Sequence, residues 1–203
     1  MAGRDLGNAL LGIARSGIAE ELGLPARGEA SHAALGQAGA TFVTLKRAGQ
    51  LRGCIGSLRP MRPLGVDVRA NAIAAAFSDP RFPPLAVFEF QELTVEVSLL
   101  SATERVDVVD EDDLVARLRP GLDGLIIEYG HRRATFLPQV WDALPDPREF
   151  LAALKRKAGF PADFWSPQMN VSRYGVTKWA ENEFDLSDLS KLSKLSELSE
   201  PHR

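Results

Sequence analysis

The stretch Leu51-Arg52-Gly53-Cys54-Ile55-Gly56 decides how this chain is interpreted, because it holds the only cysteine of the sequence. It follows residues 41–47, Thr-Phe-Val-Thr-Leu-Lys-Arg, after the short turn Ala48-Gly49-Gln50. Two short apolar runs joined by a glycine-containing turn predict a β-hairpin, with residues 51–57 as its second strand. The first strand is expected to be apolar on both faces. Cys54 is therefore expected on a rigid element rather than on a loop.

The surroundings of Cys54 suit two interpretations. Arg52 lies two positions before the thiol, and side chains at this spacing in a strand point to the same face. A guanidinium beside a thiol favours the thiolate, which is the reactive form. Gly53 and Gly56 permit a close approach of the backbone to a neighbour or a ligand. The alternative is that Cys54 packs into the sheet while Arg52 pairs with an acid, since free cysteine is among the most buried residue types.

Composition narrows the class of protein. The chain has 203 residues, 45% hydrophobic and 25% charged, which is typical of a soluble globular protein. The formal net charge of -3 gives no support for non-specific binding to nucleic acid. One cysteine excludes an intrachain disulfide and, with three histidines, disfavours a structural zinc site. The first residues lack the layout of a signal peptide, and no apolar run approaches about 20 residues. We therefore expect a cytoplasmic protein without a membrane span, a metal or a cofactor.

The periodicity of apolar residues predicts a mixture of helices and strands. Asp5 is expected to cap a first helix, and a second hairpin is expected about Gly130-His131. The other predicted elements are helices over 64–77, 110–118 and 146–157 and strands over 93–100 and 170–179. Two hairpins without a regular βαβ rhythm favour an α+β fold, with a mainly antiparallel sheet flanked by helices.

The C-terminal residues 185–203 differ from the rest of the chain. Leucine recurs there at every third position, from Leu186 to Leu198, which matches neither the helical period nor a heptad. We interpret this segment as a low-complexity extension. A helix that binds a partner is the alternative.

Several blocks of the sequence, in order, resemble the AMMECR domain family, and the hexapeptide resembles the signature of that family. The matching blocks are residues 51–56, 79–85, 96–100, 124–127, 135–141, 154–159 and 172–174. The resemblance covers roughly residues 5–180 and indicates one AMMECR domain over residues 1–184. The details are most similar to the stand-alone prokaryotic members called AmmeMemoRadiSam system protein A.

The resemblance implies a large lobe and a small lobe, with the hexapeptide near an interlobe cleft. It also implies action together with a Memo-like protein and a radical SAM protein. It implies no particular reaction, so whether the chain is an enzyme stays open.

Polar and aromatic residues near the hexapeptide are the candidate ligand contacts. Arg81 and Phe82 lie in the proline-rich loop 79–85, and a rigid guanidinium beside an aromatic ring suits an anionic or planar ligand. The alternative is that Arg81 pairs with Asp79. The candidate ligand-binding residues are Arg52, Gly53, Gly56, Asn71, Arg81, Phe82, Glu96 and Ser98.

Cys54 is the candidate catalytic residue. A nucleophile needs a base, but His32, His131 and His202 show no local sign of a Cys–His pair.

Two classes of function follow from these residues. In the first, the chain binds a small anionic ligand and serves its two partner proteins. In the second, it is a thiol-dependent enzyme that uses Cys54 as a nucleophile or a redox group. An RNA-associated factor is a third, minor alternative: five arginines lie within residues 52–81, but no RNA-binding motif with stacked aromatics is visible.

Overall fold

The computed structural model describes residues 2–26 and 31–181, and the chain divides into two compact units. Unit 1 contains the residues up to Leu99 and those from Lys178 onward, whereas unit 2 spans Leu100–Thr177. The helices are α1 (Ala2–Glu21), α2 (Leu64–Phe77), α3 (Glu111–Arg117) and α4 (Pro147–Lys157). The strands are β1 (Ala38–Gly39), β2 (Thr41–Arg47), β3 (Gln50–Gly56), β4 (Arg62–Pro63), β5 (Leu93–Leu100), β6 (Glu104–Arg105), β7 (Gly124–Tyr129), β8 (Arg132–Phe136), β9 (Asn170–Tyr174) and β10 (Val176–Ala180).

Unit 1 is built on a four-stranded sheet in the order β10-β5-β2-β3. Strand β2 pairs antiparallel with both β3 and β5, so every second side chain of β2 points to the same face. Val43 and Leu45 point inward and are fully buried with Val95 and Val97 of β5. Helices α1 and α2 cover this inner face, and their apolar side chains belong to the same core.

The predicted hairpin is confirmed, with one irregularity that matters for the site. Leu45 lies opposite Gly53, but its neighbour Lys46 lies opposite Leu51, so Arg52 is an extra residue on β3. Such a β-bulge redirects the side chain that it inserts. The rule that places residues two apart on one face therefore does not apply between Arg52 and Cys54.

Unit 2 has its own four-stranded sheet, in the order β6-β9-β7-β8. Helix α4 begins as the sequence predicts, because the Asp146 carboxylate accepts from the backbone N–H groups of Arg148 and Glu149 and Pro147 takes the first helical position. Its buried face carries Phe150, whose ring stacks on Trp141 at 3.7 Å between centroids. The apolar core of unit 2 is thus separate from that of unit 1.

The antiparallel sheets and flanking helices confirm the α+β class, while two predicted elements need correction. Residues 170–179 do not form one strand, because the chain passes from β9 in one sheet to β10 in the other at Gly175. Helix α1 begins at Ala2, so Asp5 lies within its first turn rather than at its cap. The leucine-rich segment 185–203 lies outside the described residues. Within residues 2–26 and 31–181, no helix combines the length and the apolar composition needed to cross a membrane.

Candidate functional site

The outer face of the four-stranded sheet in unit 1 carries a row of polar side chains centred on Thr44. Strand pairing places Cys54 on one side of Thr44 and Glu96 on the other, and directly opposed residues share a face. The Thr44 hydroxyl donates to the Cys54 sulfur, with 3.4 Å between Oγ1 and Sγ. Cys54 is half-buried, so its thiol is neither a core residue nor fully exposed. We call Thr44, Cys54 and Glu96, together with Lys46 and Lys178 beside Glu96, the Thr44 row.

Two lysines flank the Glu96 carboxylate. Lys46 Nζ lies 2.7 Å from one carboxylate oxygen and Lys178 Nζ lies 2.6 Å from the other. Burial raises the pKa of Glu96, but the hydrogen bonds from Lys178 and Lys46 outweigh it and lower the pKa overall. The carboxylate therefore stays charged, and two ammonium groups surround one carboxylate. Since Lys46 and Lys178 have side chains 34% and 52% exposed, this excess of positive charge is accessible to a ligand.

The loop with three prolines fixes the free edge of β3 at Cys54. The Asp79 carboxylate accepts from the Cys54 backbone N–H at 2.8 Å, and Arg81 Nη2 donates to the Cys54 carbonyl at 3.2 Å. Arg81 also binds both oxygens of Asp79, and these hydrogen bonds hold the pKa of Asp79 well below its usual range. Asp79 and Arg81 thus replace the neighbouring strand that an edge strand lacks. The Arg81–Asp79 pair, which the sequence left as an alternative, is present.

Arg81, not Arg52, is the guanidinium that contacts Cys54, through the Cys54 backbone carbonyl. The pKa of Arg81 is raised, chiefly by its hydrogen bond to Asp79. The side chain of Arg81 is 53% exposed, so the cation borders solvent. The expectation that Arg52 accompanies the thiol fails because of the bulge.

Arg52 is instead part of an ion pair that anchors the following segment. Its Nε and Nη2 atoms bind the two oxygens of Glu89 at 2.8 and 2.9 Å, and Nη2 also donates to the Pro83 carbonyl. The hydrogen bond from Arg52 is the main cause that lowers the pKa of Glu89 to about 2, against the effect of burial. Phe82 lies beside this pair, with its ring centroid 5.8 Å from Cζ of Arg52 and 5.6 Å from Cζ of Arg81.

The two glycines of the hexapeptide serve packing on opposite faces. A Cβ on Gly53 would lie 2.1 Å from the Ala75 carbonyl oxygen of α2, so the inner face of β3 touches helix backbone at this point. A Cβ on Gly56 would lie 2.2 Å from the Phe42 ring. Because glycine has no side chain, Gly53 and Gly56 let these neighbouring groups approach the backbone of β3 more closely than any other residue type would.

Asn71 belongs to a buried network at the far end of β2 rather than to the Thr44 row. Its amide donates to the Thr41 carbonyl at 2.9 Å and to Asp67 at 2.9 Å. Asp67 also accepts from the backbone N–H and the hydroxyl of Thr41, both at 2.8 Å. Ser57 and Arg62 bind the other oxygen of Asp67. With these donors and acceptors satisfied by one another, the network fixes the start of β2 against α2.

The structure therefore brings together only part of the predicted site. Cys54, Glu96 and Ser98 share the outer face, since Ser98 lies opposite Phe42 in β2, and Arg81 borders that face at the edge. The predicted residues that lie elsewhere or serve packing are Arg52, Gly53, Gly56, Asn71 and Phe82.

Three residues of the row were not predicted from the sequence. Thr44 and Lys46 alternate with buried Val43 and Leu45, and this period of two was the available signal for a polar outer face. The expectation of a strand apolar on both faces was therefore wrong. Lys178 offered no comparable signal, because its approach to Glu96 depends on the pairing of β10 with β5, which are far apart in sequence.

Of the histidines, His32 has a visible structural role. His32 caps a short 3-10 helix, with its Nδ1 atom accepting from the Ala34 backbone N–H at 3.1 Å. His131 is exposed in the turn between β7 and β8, and His202 lies outside the described residues. Among residues 2–26 and 31–181, no group of three or more His, Cys, Asp or Glu side chains is arranged to hold a metal ion.

The fold and the site define an α+β protein built on two four-stranded antiparallel sheets, whose lone thiol is fixed on an edge strand beside paired charges. The AMMECR1 family matches residues 11–179, and the chain belongs to this family. A protein of Methanothermobacter thermautotrophicus is 40% identical over 184 residues, covering 84% of this chain and 92% of that protein. A protein of Sulfolobus acidocaldarius is 38% identical over 173 residues, covering 79% and 74%.

A solved structure has the same fold. The crystal structure of an uncharacterized protein from Pyrococcus horikoshii is similar with a TM-score of 0.74 and 34% sequence identity. The similarity covers 86% of this chain and 91% of that one.

Proposed function

We propose that this AMMECR1-family chain binds a small anionic ligand at the Thr44 row and acts together with a Memo-like protein and a radical SAM protein. The single observation that carries the ligand proposal is the placement of Lys46 and Lys178 around Glu96, in line with Thr44 and Cys54. Side chains that are already held in ion pairs on a rigid sheet lose little conformational entropy when they bind a ligand. The partner proteins are proposed from the resemblance of the sequence blocks.

The charges of the site favour an anion over a cation. Lys46, Lys178 and Arg81 supply three positive charges, whereas Glu96 and Asp79 supply two negative charges. The site therefore has one positive charge in excess. Each ammonium has three donors and uses one of them on Glu96, so two donors of each lysine are available to an incoming oxygen. Arg52 supports the site indirectly, because its ion pair with Glu89 fixes the segment that follows Arg81. The ligand class is therefore a carboxylate or a phosphate, with Cys54 and Thr44 beside it.

Protection of Cys54 tests the ligand proposal. We expect inorganic phosphate to slow alkylation of Cys54 by iodoacetamide at least about threefold, relative to sodium chloride of the same ionic strength. Replacing both lysines, Lys46→Gln and Lys178→Gln, should raise the phosphate concentration that gives the same protection at least about tenfold. The reason is that each charge-assisted hydrogen bond contributes about 1.5–3 kcal/mol.

The matched control removes a positive charge on the side of the sheet opposite the row. Arg4→Gln replaces an exposed residue of α1, the helix that covers the inner face of the sheet, and should leave protection unchanged. An alkylation rate that phosphate does not alter would contradict anion binding at this site.

The partner proposal has a separate test. The chain, expressed at native level with an affinity tag, should retain a Memo-like protein or a radical SAM protein through purification. Recovery of neither protein, at salt concentrations near physiological, would contradict it.

One observation favours the thiol-dependent enzyme as a second candidate. The Cys54 sulfur accepts a hydrogen bond from the Thr44 hydroxyl, and the Arg81 guanidinium donates to the Cys54 carbonyl. A nearby cation is among the surroundings typical of reactive cysteines. On this proposal Cys54 reacts with iodoacetamide at pH 7 faster than free cysteine does, and Thr44→Val slows the reaction severalfold. A rate equal to or below that of free cysteine, with no effect of Thr44→Val, would exclude a thiolate nucleophile.

A further inference from the structure

The outer face of the sheet in unit 1 continues beyond the Thr44 row to an aromatic ring. Phe42 precedes Thr44 by two positions on β2, and regular strand pairing places it opposite Gly56 on β3 and Ser98 on β5. Its side chain is half-buried, and of the two apolar cores that the described residues form it belongs to neither. Phe42 therefore lies on the same face as Thr44, next to the proposed ligand site.

The Phe42 ring rests directly on the backbone of Gly56. A Cβ on Gly56 would lie 2.2 Å from Cγ and 2.3 Å from Cδ1 of Phe42, so the ring occupies the space that a side chain at residue 56 would take. An aromatic ring over a glycine of an edge strand stabilises the pairing of the strands. This contact accounts for the side of the ring that faces the sheet, and for that side alone.

The Phe42 ring has no aromatic or cationic partner in the described part of the chain. Among residues 2–26 and 31–181, no other ring stacks on it and no lysine or arginine lies over it. Phe82, by comparison, lies beside two guanidinium groups. A half-buried ring without such a partner, next to a charged row, is a surface on which the planar group of a ligand can stack.

The spacing between the ring and the charged groups sets the size of a ligand that can contact both. The ammonium groups of Lys46 and Lys178 lie 2.7 and 2.6 Å from the carboxylate of Glu96, which stands opposite Thr44. Phe42 is two residues from Thr44, a step of about 7 Å along the strand. A planar ring joined to an anionic group by a short linker, as in an aryl phosphate, spans this distance.

We propose that the ligand of the Thr44 row is an aromatic or heteroaromatic phosphate or carboxylate, whose planar ring stacks on Phe42 while its anionic group binds Lys46 and Lys178. The inference rests on the proposed function, since it adds a ring to the anion that the row binds. Cys54 lies between the two contacts, because it stands opposite Thr44. A ligand that makes both contacts covers the thiol, whereas an anion alone borders it.

Protection of Cys54 by two phosphate monoesters of equal charge tests the ring contact. Phenyl phosphate and cyclohexyl phosphate are similar in size, but only the phenyl ring is planar and can stack on Phe42. Because Cys54 is the only cysteine, its alkylation by iodoacetamide reports on this site alone. At a fixed pH and ionic strength, phenyl phosphate should give half-maximal protection at a concentration at least about fivefold lower than cyclohexyl phosphate does.

Variants of Phe42 show whether the ring is the cause of this preference. Phe42→Leu keeps an apolar side chain but removes the ring, so it should abolish the preference and leave protection by cyclohexyl phosphate unchanged. Phe42→Tyr keeps the ring and should keep the preference. Phe88→Leu is the matched control, since Phe88 is a 70% exposed ring of unit 1 that lies beside Arg47 rather than on the row, and it should behave as the native chain does.

The possible results separate this inference from the proposed function. If phenyl phosphate and cyclohexyl phosphate protect Cys54 equally in the native chain, the anion site stands and the ring contact is overturned. A preference that persists in Phe42→Leu would overturn the ring contact as well, because the phenyl ring would then bind elsewhere. Failure of both monoesters and of inorganic phosphate to protect Cys54 would contradict the anion site itself, and with it the inference.

Discussion

Replacing Gly53 with alanine tests whether the hexapeptide strand packs directly on the backbone of α2. The new Cβ would lie 2.1 Å from the Ala75 carbonyl oxygen and 3.0 Å from its carbonyl carbon. Ordinary contacts between carbon and carbonyl oxygen begin at about 3.3 Å, so β3 and α2 would have to separate by roughly 1 Å. The obstructing atom belongs to the backbone in the last turn of a 14-residue helix, and no side-chain rotation can move it away.

The expected cost is about 3 kcal/mol or more of the free energy of unfolding. Overpacking a rigid core costs about 1–3 kcal/mol, and a clash with helix backbone lies at the upper end because it displaces a whole element. Gly12→Ala is the matched control, since a Cβ there meets nothing within 4 Å and the residue lies inside α1. Alanine is a better helix former than glycine, so Gly12→Ala should stabilise the chain by about 0.5–1 kcal/mol.

Urea unfolding, followed by far-ultraviolet circular dichroism, measures both variants on the same scale. The two substitutions add the same methyl group and are expected to change stability in opposite directions. A free energy of unfolding for Gly53→Ala within about 0.5 kcal/mol of the native value, alongside a stabilised Gly12→Ala, would refute the packing of β3 on α2.

Two further predictions concern buried charges in unit 1. The pKa of Glu89 is lowered to about 2 in the folded chain from an ordinary value of 4.5. The ionised carboxylate therefore stabilises the fold fully above about pH 5, and this stabilisation is lost as the pH falls towards 2. Glu89→Gln should lower the free energy of unfolding at pH 7 by up to about 3 kcal/mol, and urea unfolding measured at a series of pH values should show a weaker loss of stability in acid. Asp67→Asn should cost about 3 kcal/mol at pH 7, because the amide has a single oxygen and can offer it either to Thr41 or to Ser57 and Arg62, so that one set of donors loses its acceptor. An unchanged urea midpoint would show that the network is not structural.

The sequence was sufficient for most of the helices and longer strands but not for the pairing of the strands. The hairpin of β2 and β3 was predictable because its turn and its apolar runs are local. The split of residues 170–179 at Gly175 was not, because the two strands join different sheets through partners distant in sequence. Local patterns record which residues are extended, whereas the choice of neighbour depends on contacts that only the folded chain brings together.

The candidate site shows the same division between local and non-local information. Arg52 was assigned to the thiol on the rule that residues two apart share a face, and one inserted residue removed it from that face. The guanidinium that approaches Cys54 instead is that of Arg81, which lies in a loop 27 residues beyond Cys54 and donates to the Cys54 carbonyl. The rigidity of that loop was predictable from its prolines, while its position against the edge of β3 was not.

The binding of an anion at the Thr44 row is the central claim, and a site-resolved titration tests it most directly. In a ¹⁵N-labelled native chain, inorganic phosphate should shift the amide resonances of Thr44, Cys54 and Glu96 saturably, while sodium chloride of equal ionic strength should not. The variant with Lys46→Gln and Lys178→Gln should lose these shifts over the same concentrations. Resonances of the row that do not move with phosphate, or that move equally in the double variant, would contradict the account.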